Sequence, residues 1–297
     1  MRDKKIEHLK KLADDNGFFK IAAIDHRQVF INACTEITNK EISFSQIVNL
    51  KMSLIESLKP YVSSFLLDPI YSAKQVRKRV DLENKGLLVG IEGDDYSSTS
   101  FGDNYLTEEI DIDNILSING DCVKLFIYYY DIDRIEILEK ERALVKSVAL
   151  KCHSLGLPFL FEPILAPEYS ILSHDERIEA QKRMITTFSD LPIDIYKISF
   201  PCDLNEVSSL KAKEVCQSII SLSDAPFILL TSGINFETFK DQLKIFSEAG
   251  GCGYAMGRSL WSNGLKSLLE DGVNSEEMVF NIKEINDIIE TYAKPWN

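Results

Sequence analysis

Two lysines, Lys124 and Lys197, lie in the middle of short apolar runs that have the character of buried strands. A buried ammonium group loses its hydration, so such a lysine must either pair with a carboxylate or be useful as a neutral amine. If both lysines face one interior, desolvation and mutual repulsion lower their pKa values and favour a nucleophilic amine that can form a Schiff base. The alternative is that they pair with acids such as Asp25, Glu92 or Glu162 and only hold the fold together.

Glu162 is an acid that could work beside such a lysine. It follows Leu160 by two positions, so the two side chains share one face of a strand, and it stands where the fifth apolar run ends. A carboxylate close to an imine-forming lysine can shuttle protons. A structural salt bridge to Lys124 or Lys197 is the alternative, and the two roles can coexist.

Two glycine-containing turns, Ser232-Gly233 and Gly257-Arg258, follow the seventh and eighth apolar runs and indicate an anion site. In barrels, backbone N–H groups of these two loops often bind phosphate, because glycine lets the ligand approach closely. The arginine can add a bidentate clamp. The alternative is that both glycines only form turns.

The segment Asp25-His26-Arg27 ends the first apolar run and could hydrogen-bond a sugar hydroxyl or bind a second anion. A metal-dependent mechanism would require clustered ligands, and histidine is the usual one. The four histidines, His8, His26, His153 and His174, are scattered along the chain. A catalytic metal is therefore not expected, and no cofactor is predicted.

The overall charge limits the possible partners. The chain has 297 residues, with 33 Lys and Arg against 46 Asp and Glu and a formal net charge of −13. This field repels phosphate, so neither nucleic acid nor an acidic membrane is expected as a partner, and any phosphate site must be local. No apolar run approaches the roughly 20 residues of a membrane span, and the charged N-terminus does not resemble a signal peptide. Six separated cysteines without a CxxC pair are typical of reduced thiols, which favours a cytoplasmic location.

Eight short apolar or β-branched runs alternate with helical patterns and must position these residues. The runs cover residues 20–25, 63–68, 86–91, 122–128, 157–161, 194–201, 227–231 and 253–256. Continuous apolar runs are typical of buried parallel strands, and their number favours a (β/α)8 TIM barrel over a doubly wound sheet. No linker interrupts the pattern, so residues 1–297 are predicted to form one barrel domain with extra N- and C-terminal helices.

Polar or irregular residues follow nearly every run, and the active site of a barrel is built at that face. The fifth run is expected to end at Glu162-Pro163. The third run leads into a polar loop over residues 94–104, and a loop of that length is often functional.

The motifs at the ends of these runs resemble those of the bacterial tagatose-1,6-bisphosphate aldolase family, with which sulfofructose-phosphate aldolases share a framework. The similarity is in order and extends over roughly residues 17–263. It is carried by the segments at residues 24–27, 64–71, 123–129, 159–162, 194–198, 230–233 and 256–261.

The resemblance implies a class I aldolase on a (β/α)8 barrel that cleaves a ketose 1-phosphate through a lysine Schiff base. Tagatose 1,6-bisphosphate is then the first expected substrate, with dihydroxyacetone phosphate and an aldehyde such as glyceraldehyde 3-phosphate as products. Lys197 matches the imine-forming lysine, Lys124 and Glu162 its charged neighbours, and Asp25 a substrate-contacting acid. Ser232, Gly233, Gly257 and Arg258 match the phosphate site, and Arg27 matches a position for the far anion.

Two residues depart from the family pattern. His26 stands where the family usually has glutamine, and Ser199 stands where it has a glutamate two residues after the imine lysine. Both positions touch the expected pocket. Two alternatives therefore remain open: a sulfofructose-1-phosphate aldolase, and a catalytically weak regulatory protein that senses sugar phosphates. The helix pairs leave enough apolar surface for a homodimer.

Overall fold

Eight parallel strands pair in chain order and close into a barrel in the computed structural model, which describes residues 2–93, 106–130, 134–272 and 275–297. The strands are β1 Phe19–Ile24, β2 Ser64–Leu67, β3 Gly86–Gly90, β4 Cys122–Tyr129, β5 Phe159–Leu165, β6 Ile195–Ile198, β7 Phe227–Leu230 and β8 Gly253–Met256. The TIM barrel predicted from the eight apolar runs is thereby confirmed.

The described residues form ten α-helices, most of which pack around the barrel. They are α1 Arg2–Leu12, α2 Gln28–Thr38, α3 Phe44–Leu58, α4 Lys74–Arg79, α5 Ile135–Leu155, α6 His174–Phe188, α7 Ser209–Ile220, α8 Phe236–Glu248, α9 Arg258–Glu270 and α10 Glu276–Tyr292. A capping box formed by Ser173 and Glu176 opens α6. Within the described ranges, no helix has both the length and the apolar character needed to cross a membrane.

The barrel closes where β1 meets β8, with Phe19 opposite Gly253. A Cβ atom at Gly253 would lie 2.1 Å from the carbonyl oxygen of Phe19, and the φ angle of Gly253 is 157°. A larger residue cannot enter this contact without moving the backbone of one strand. The glycine therefore allows the first and last strands to approach each other.

Strand β5 is longer than the sequence pattern indicates. It continues beyond Glu162 to Leu165, so the prediction that it ends at Glu162-Pro163 is wrong. The long β4 provides the partner, with Pro163 opposite Ile127. The nitrogen of Pro163 faces β6, whose pairing with β5 has already ended at Phe161. The missing N–H group therefore costs no ladder hydrogen bond.

Apolar side chains fill the barrel interior at the amino ends of the strands, which is called the lower end here. Inward-facing apolar side chains form one buried cluster together with Leu9 and Leu12 of α1, and Trp296 packs on it 6.0 Å from the ring of Phe19. The strand residues of this cluster are Phe19, Ile21, Ala23, Leu66, Leu88, Cys122, Leu160, Ile195, Ile228 and Ala255. Because α1 covers this end, the interior can admit a ligand at the carboxyl ends of the strands.

Charged contacts fasten α1 below the barrel. Asp194, just before β6, accepts hydrogen bonds from Lys5 at 2.6 Å and from the backbone N–H of Phe159 at 2.9 Å. His153 lies 2.7 Å from the same carboxylate. Burial alone would raise the pKa of Asp194, but these contacts lower it below its ordinary value. The carboxylate therefore stabilises the fold while it is ionised.

Replacing Asp194 with Asn should lower the free energy of unfolding at pH 7 by about 1–3 kcal/mol, because a buried charged acceptor is lost. A lowered pKa gives stability above the unfolded value, about 3.9 for Asp, which disappears as the pH falls through the folded value. The unfolding free energies of the two proteins, measured with urea, should therefore start to converge as the pH falls below about 4 and meet once the pH is below the folded pKa. In the matched control, Asp190→Asn at an exposed pair with Arg142 should cost less than about 1 kcal/mol. A loss of unfolding free energy in Asp194→Asn that does not change with pH would contradict the stabilising role of the ionised carboxylate.

Candidate active site

A network of ion pairs occupies the upper end of the barrel interior. The ammonium group of Lys124, in β4, is fully buried and contacts three carboxylates. The distances are 3.1 Å to Oδ2 of Asp25, 2.6 Å to Oε1 of Glu92 and 2.9 Å to Oε2 of Glu162. Such pairing offsets the cost of burying an ammonium group.

Glu162 joins the two lysines that the sequence singles out. Its Oε1 atom lies 2.8 Å from Nζ of Lys197, while Oε2 is paired with Lys124. The two ammonium groups therefore share one carboxylate, which offsets the direct repulsion expected between them. The salt bridges from Glu162 to both lysines, which the sequence allows as a purely structural role, are therefore formed. They also place a proton acceptor beside the Lys197 amine.

Asp25 lies one residue beyond the end of β1 and is buried. Burial alone would raise the pKa of its carboxyl group, but the charge of Lys124, together with His26 and Lys197, holds the pKa far below its ordinary value. Its Oδ1 atom is 3.5 Å from Nδ1 of His26. Asp25 is therefore an ionised group at neutral pH.

A cavity of about 420 Å³ opens above this network. Glu162 and Lys197 line it, so the Lys197 amine is within reach of a ligand, whereas Lys124 is fully buried beneath. The remaining lining residues are Ala23, His26, Val29, Phe126, Tyr128, Ile164, Leu230, Thr231, Ser232, Gly233, Ala255, Gly257 and Arg258. The structure thus brings together most of the residues that the sequence predicts for the site.

One end of the cavity is suited to an anion. Ser232 and Gly233 both have positive φ angles, 47° and 72°. The guanidinium of Arg258 lies so close to Gly233 that a Cβ atom there would be 2.8 Å from Nη2. Helix α9 begins beside it, and Gly257 at its N-cap provides no side chain to satisfy the first N–H groups. A helix N-terminus with an arginine alongside favours a phosphate group.

The opposite wall is mainly apolar. It is formed by Phe126 and Tyr128 of β4, whose ring centroids are 4.8 Å apart, and by Ile164 of β5. Burial and the nearby charge of Glu162 raise the pKa of Tyr128. The phenol therefore stays protonated and can donate a hydrogen bond.

His26 belongs to the anion end of the cavity. A Cβ atom at Gly257 would meet the ring of His26 at 3.0 Å, and the ring lies edge-on to Trp261 with centroids 5.7 Å apart. The side chain thus packs between the end of β1 and the start of α9. Its place in the cavity agrees with the prediction that position 26 touches the pocket.

Arg27 and Ser199 are placed differently from the other predicted residues. Arg27 donates from Nη2 to the carbonyl oxygen of Glu92 at 3.1 Å and is not one of the residues that line the cavity. Ser199 follows β6, and its carbonyl accepts a hydrogen bond from Gln181 at 2.8 Å. It is not one of the residues that line the cavity, in contrast to the prediction that position 199 touches the pocket. The polar loop 94–104 lies outside the described residues, so its predicted role stays a prediction.

The sequence reasoning missed part of the site. Phe126 and Ile164 line the cavity but are not among the residues predicted for the site, although each follows a predicted inward residue, Lys124 or Glu162, by two positions. The period of two in a strand could have identified both. The sequence offers Glu92 only as one of several possible acid partners, and Glu92 forms the shortest of the three ion pairs with Lys124 described above.

The chain belongs to the DeoC/LacD aldolase family, whose family model matches residues 20–263. Tagatose 1,6-diphosphate aldolase 2 of Streptococcus mutans is 27% identical over all of this chain and 97% of its own length. Tagatose 1,6-diphosphate aldolase of Lactococcus lactis is 28% identical over all of this chain and 98% of its own length. The resemblance seen in the motifs is thereby confirmed.

Solved structures share the fold at lower identity. An archaeal fructose 1,6-bisphosphate aldolase matches 96% of this chain and 98% of its own, with a TM-score of 0.65 and 14% identity. A fructose-bisphosphate aldolase of Plasmodium falciparum matches 98% of this chain and 94% of its own, with a TM-score of 0.70 and 12% identity. Across the described part of the chain, no group of three or more His, Cys, Asp or Glu side chains could hold a metal ion.

The two lysines should differ in their importance for stability. Lys124→Met leaves the buried carboxylate of Asp25 and the partly buried carboxylate of Glu92 without their shared counterion, so it should cost about 3–5 kcal/mol of unfolding free energy. Lys197→Met leaves Glu162 paired with Lys124 and should cost less than about 2 kcal/mol. Urea unfolding at pH 7 followed by circular dichroism measures both. Equal losses would show that the three carboxylates do not depend on Lys124.

Proposed function

We propose that this protein is a class I aldolase that forms a Schiff base through Lys197 and cleaves a ketose 1-phosphate. The products are dihydroxyacetone phosphate and an aldehyde. The observation that carries the proposal is the position of the Lys197 amine, which lines the cavity and lies 2.8 Å from the Glu162 carboxylate. No cofactor enters the proposed chemistry, and a cytoplasmic location is consistent with this substrate class.

The phosphate would bind at the anion end, against Gly233, Gly257 and Arg258. In this pose the ketone carbon C2 would face Lys197, which lines the same cavity. Lys197 must lose a proton to attack, and Glu162 is in hydrogen-bonding distance to accept it. The C2 carbonyl then becomes a carbinolamine. Return of the proton to its hydroxyl group expels water and leaves the protonated imine.

The imine draws electrons from the bond to be broken. Glu162 is the carboxylate that lines the cavity, and in this proposal it takes the proton of the C4 hydroxyl. The electron pair of the C3–C4 bond then moves to C3 and forms an enamine, and the C4 fragment leaves as an aldehyde. Protonation at C3 and hydrolysis of the imine release dihydroxyacetone phosphate and restore Lys197. Tyr128 can donate a hydrogen bond to the aldehyde oxygen.

Tagatose 1,6-bisphosphate is the first candidate substrate, because the relatives that match along their whole length carry that activity in their names. Its cleavage gives glyceraldehyde 3-phosphate as the aldehyde. The far phosphate needs a second cation. Arg27 is the predicted one, and its guanidinium donates a hydrogen bond from Nη2 to the carbonyl oxygen of Glu92.

The proposal predicts that Lys197→Met loses turnover while the fold is retained. The nucleophile has no substitute in the mechanism, so kcat should fall by on the order of 10⁴ or more. Lys20→Met is a suitable control, because Lys20 is also buried and ion-paired but contacts Asp14 and Glu290. A coupled assay for dihydroxyacetone phosphate measures both variants. Retained turnover in Lys197→Met would exclude it as the nucleophile.

A second test compares tagatose 1,6-bisphosphate, fructose 1,6-bisphosphate and sulfofructose 1-phosphate. Arg258→Met should lower kcat/KM for all three by about 10- to 100-fold, since each loses the same charged hydrogen bond at its 1-phosphate. Arg27→Met should affect the two bisphosphates more than the sulfonate. Binding by calorimetry without cleavage of any of them would favour the regulatory alternative over the enzyme.

A further inference from the structure

A third lysine, Lys51 in α3, is fully buried outside the barrel wall. Its helix turns an otherwise apolar face inward, with Ile47 one turn before and Ile55 one turn after it. The ammonium group donates to three acceptors. They are the carbonyl oxygens of Ile24 at 3.0 Å and His26 at 2.7 Å, and Oδ2 of Asp68 at 2.6 Å.

Stability alone does not explain a charge at this position. Burying an ammonium and a carboxylate group is costly, and an apolar pair of similar volume is often as stable or more so. Every proton of the Lys51 ammonium group nevertheless has an acceptor. Two of these acceptors are backbone carbonyls, which an apolar side chain could not hold.

The location of the two carbonyls connects Lys51 with the active site. The ladder between β1 and β2 ends at the pair Ile24 and Leu67. Asp25, the first residue after β1, has no ladder partner on β2 to fix its backbone. Lys51 holds the carbonyl before Asp25 and the carbonyl after it. These two hydrogen bonds restrain the backbone on both sides of Asp25 and so orient its side chain, which contacts Lys124 at 3.1 Å.

Lys51 is itself held firmly. Its partner Asp68 accepts hydrogen bonds at Oδ1 from the backbone N–H groups of Ile70 at 2.9 Å and Tyr71 at 2.6 Å. Ser72 donates its hydroxyl to Oδ2 of Asp68 at 2.6 Å. The ammonium group thus joins the end of β1 to a hydrogen-bonded turn after β2.

We propose that Lys51 is a positioning residue for the active site. It fixes the backbone around Asp25 and His26 so that Asp25 meets Lys124 and His26 borders the anion end of the cavity. Its effect on turnover depends on the proposed aldolase function, whereas its effect on the Asp25–Lys124 pair does not.

The catalytic test compares Lys51→Met with Lys20→Met, a buried ion-paired lysine near the opposite end of β1. Displacement of the site by a fraction of an ångström should lower kcat by about 10- to 100-fold. The KM should stay within about twofold, because Arg258 and its loops still bind the phosphate. Lys20→Met should keep the wild-type kcat. If Lys51→Met does not fold, the double variant Lys51→Met/Asp68→Asn takes its place in the test, because it removes both buried charges.

A stability cycle tests the same inference without catalysis. Asp25→Asn should shift the urea midpoint at most half as far in the Lys51→Met background as in the wild type, because the Asp25–Lys124 pair is already weakened. In the Lys20→Met background the shift should be unchanged. Additive shifts in the Lys51→Met background would overturn the proposal, and so would a wild-type kcat. An inactive wild-type protein would refute the aldolase function, while the cycle would still decide the role of Lys51.

Discussion

The carboxylate of Glu162, shared between the ammonium groups of Lys124 and Lys197, is the interaction on which the site depends. Two lysines cannot occupy one dry interior without an anion between them, and a lysine that attacks a ketone needs a proton acceptor beside it. One residue on β5 meets both requirements. Lys124 remains fully buried with three carboxylates, whereas Lys197 reaches the cavity. Lys124 is therefore the lysine that stabilises the site, and Lys197 is the lysine that a ligand can reach.

The barrel makes this arrangement possible because its two ends differ. Apolar side chains, α1 and Trp296 fill the lower interior, so the charged residues are confined to the upper layer. The same strands carry both layers at a spacing of two residues. Beyond the strand ends, the backbone leaves the ladder and needs other restraints. Lys51 and Asp68 supply them behind Asp25, and Arg258 lies against Gly233 at the anion end.

The sequence predicts the fold well, because buried parallel strands are continuous apolar runs that can be counted. It predicts Lys197, Lys124 and Glu162 for a related reason, since a charge in an apolar run stands out. It fails at β5, where the run is broken by Pro163 although the strand continues, because the proline nitrogen faces away from β4. The sequence analysis also does not identify Lys51. This lysine lies on the apolar face of a helix, where buried positions recur every three to four residues, so its charge does not interrupt a continuous apolar run. The contacts of Arg27 depend on loop geometry that no periodicity encodes.

Reductive trapping tests the central claim most directly. The protein would be incubated with dihydroxyacetone phosphate and borohydride, digested, and analysed by peptide mass spectrometry. A Schiff base predicts that the mass of the reduced triose phosphate appears on the peptide containing Lys197 and is absent from the Lys197→Met variant. An unmodified Lys197, under conditions that label an established class I aldolase, would contradict the account.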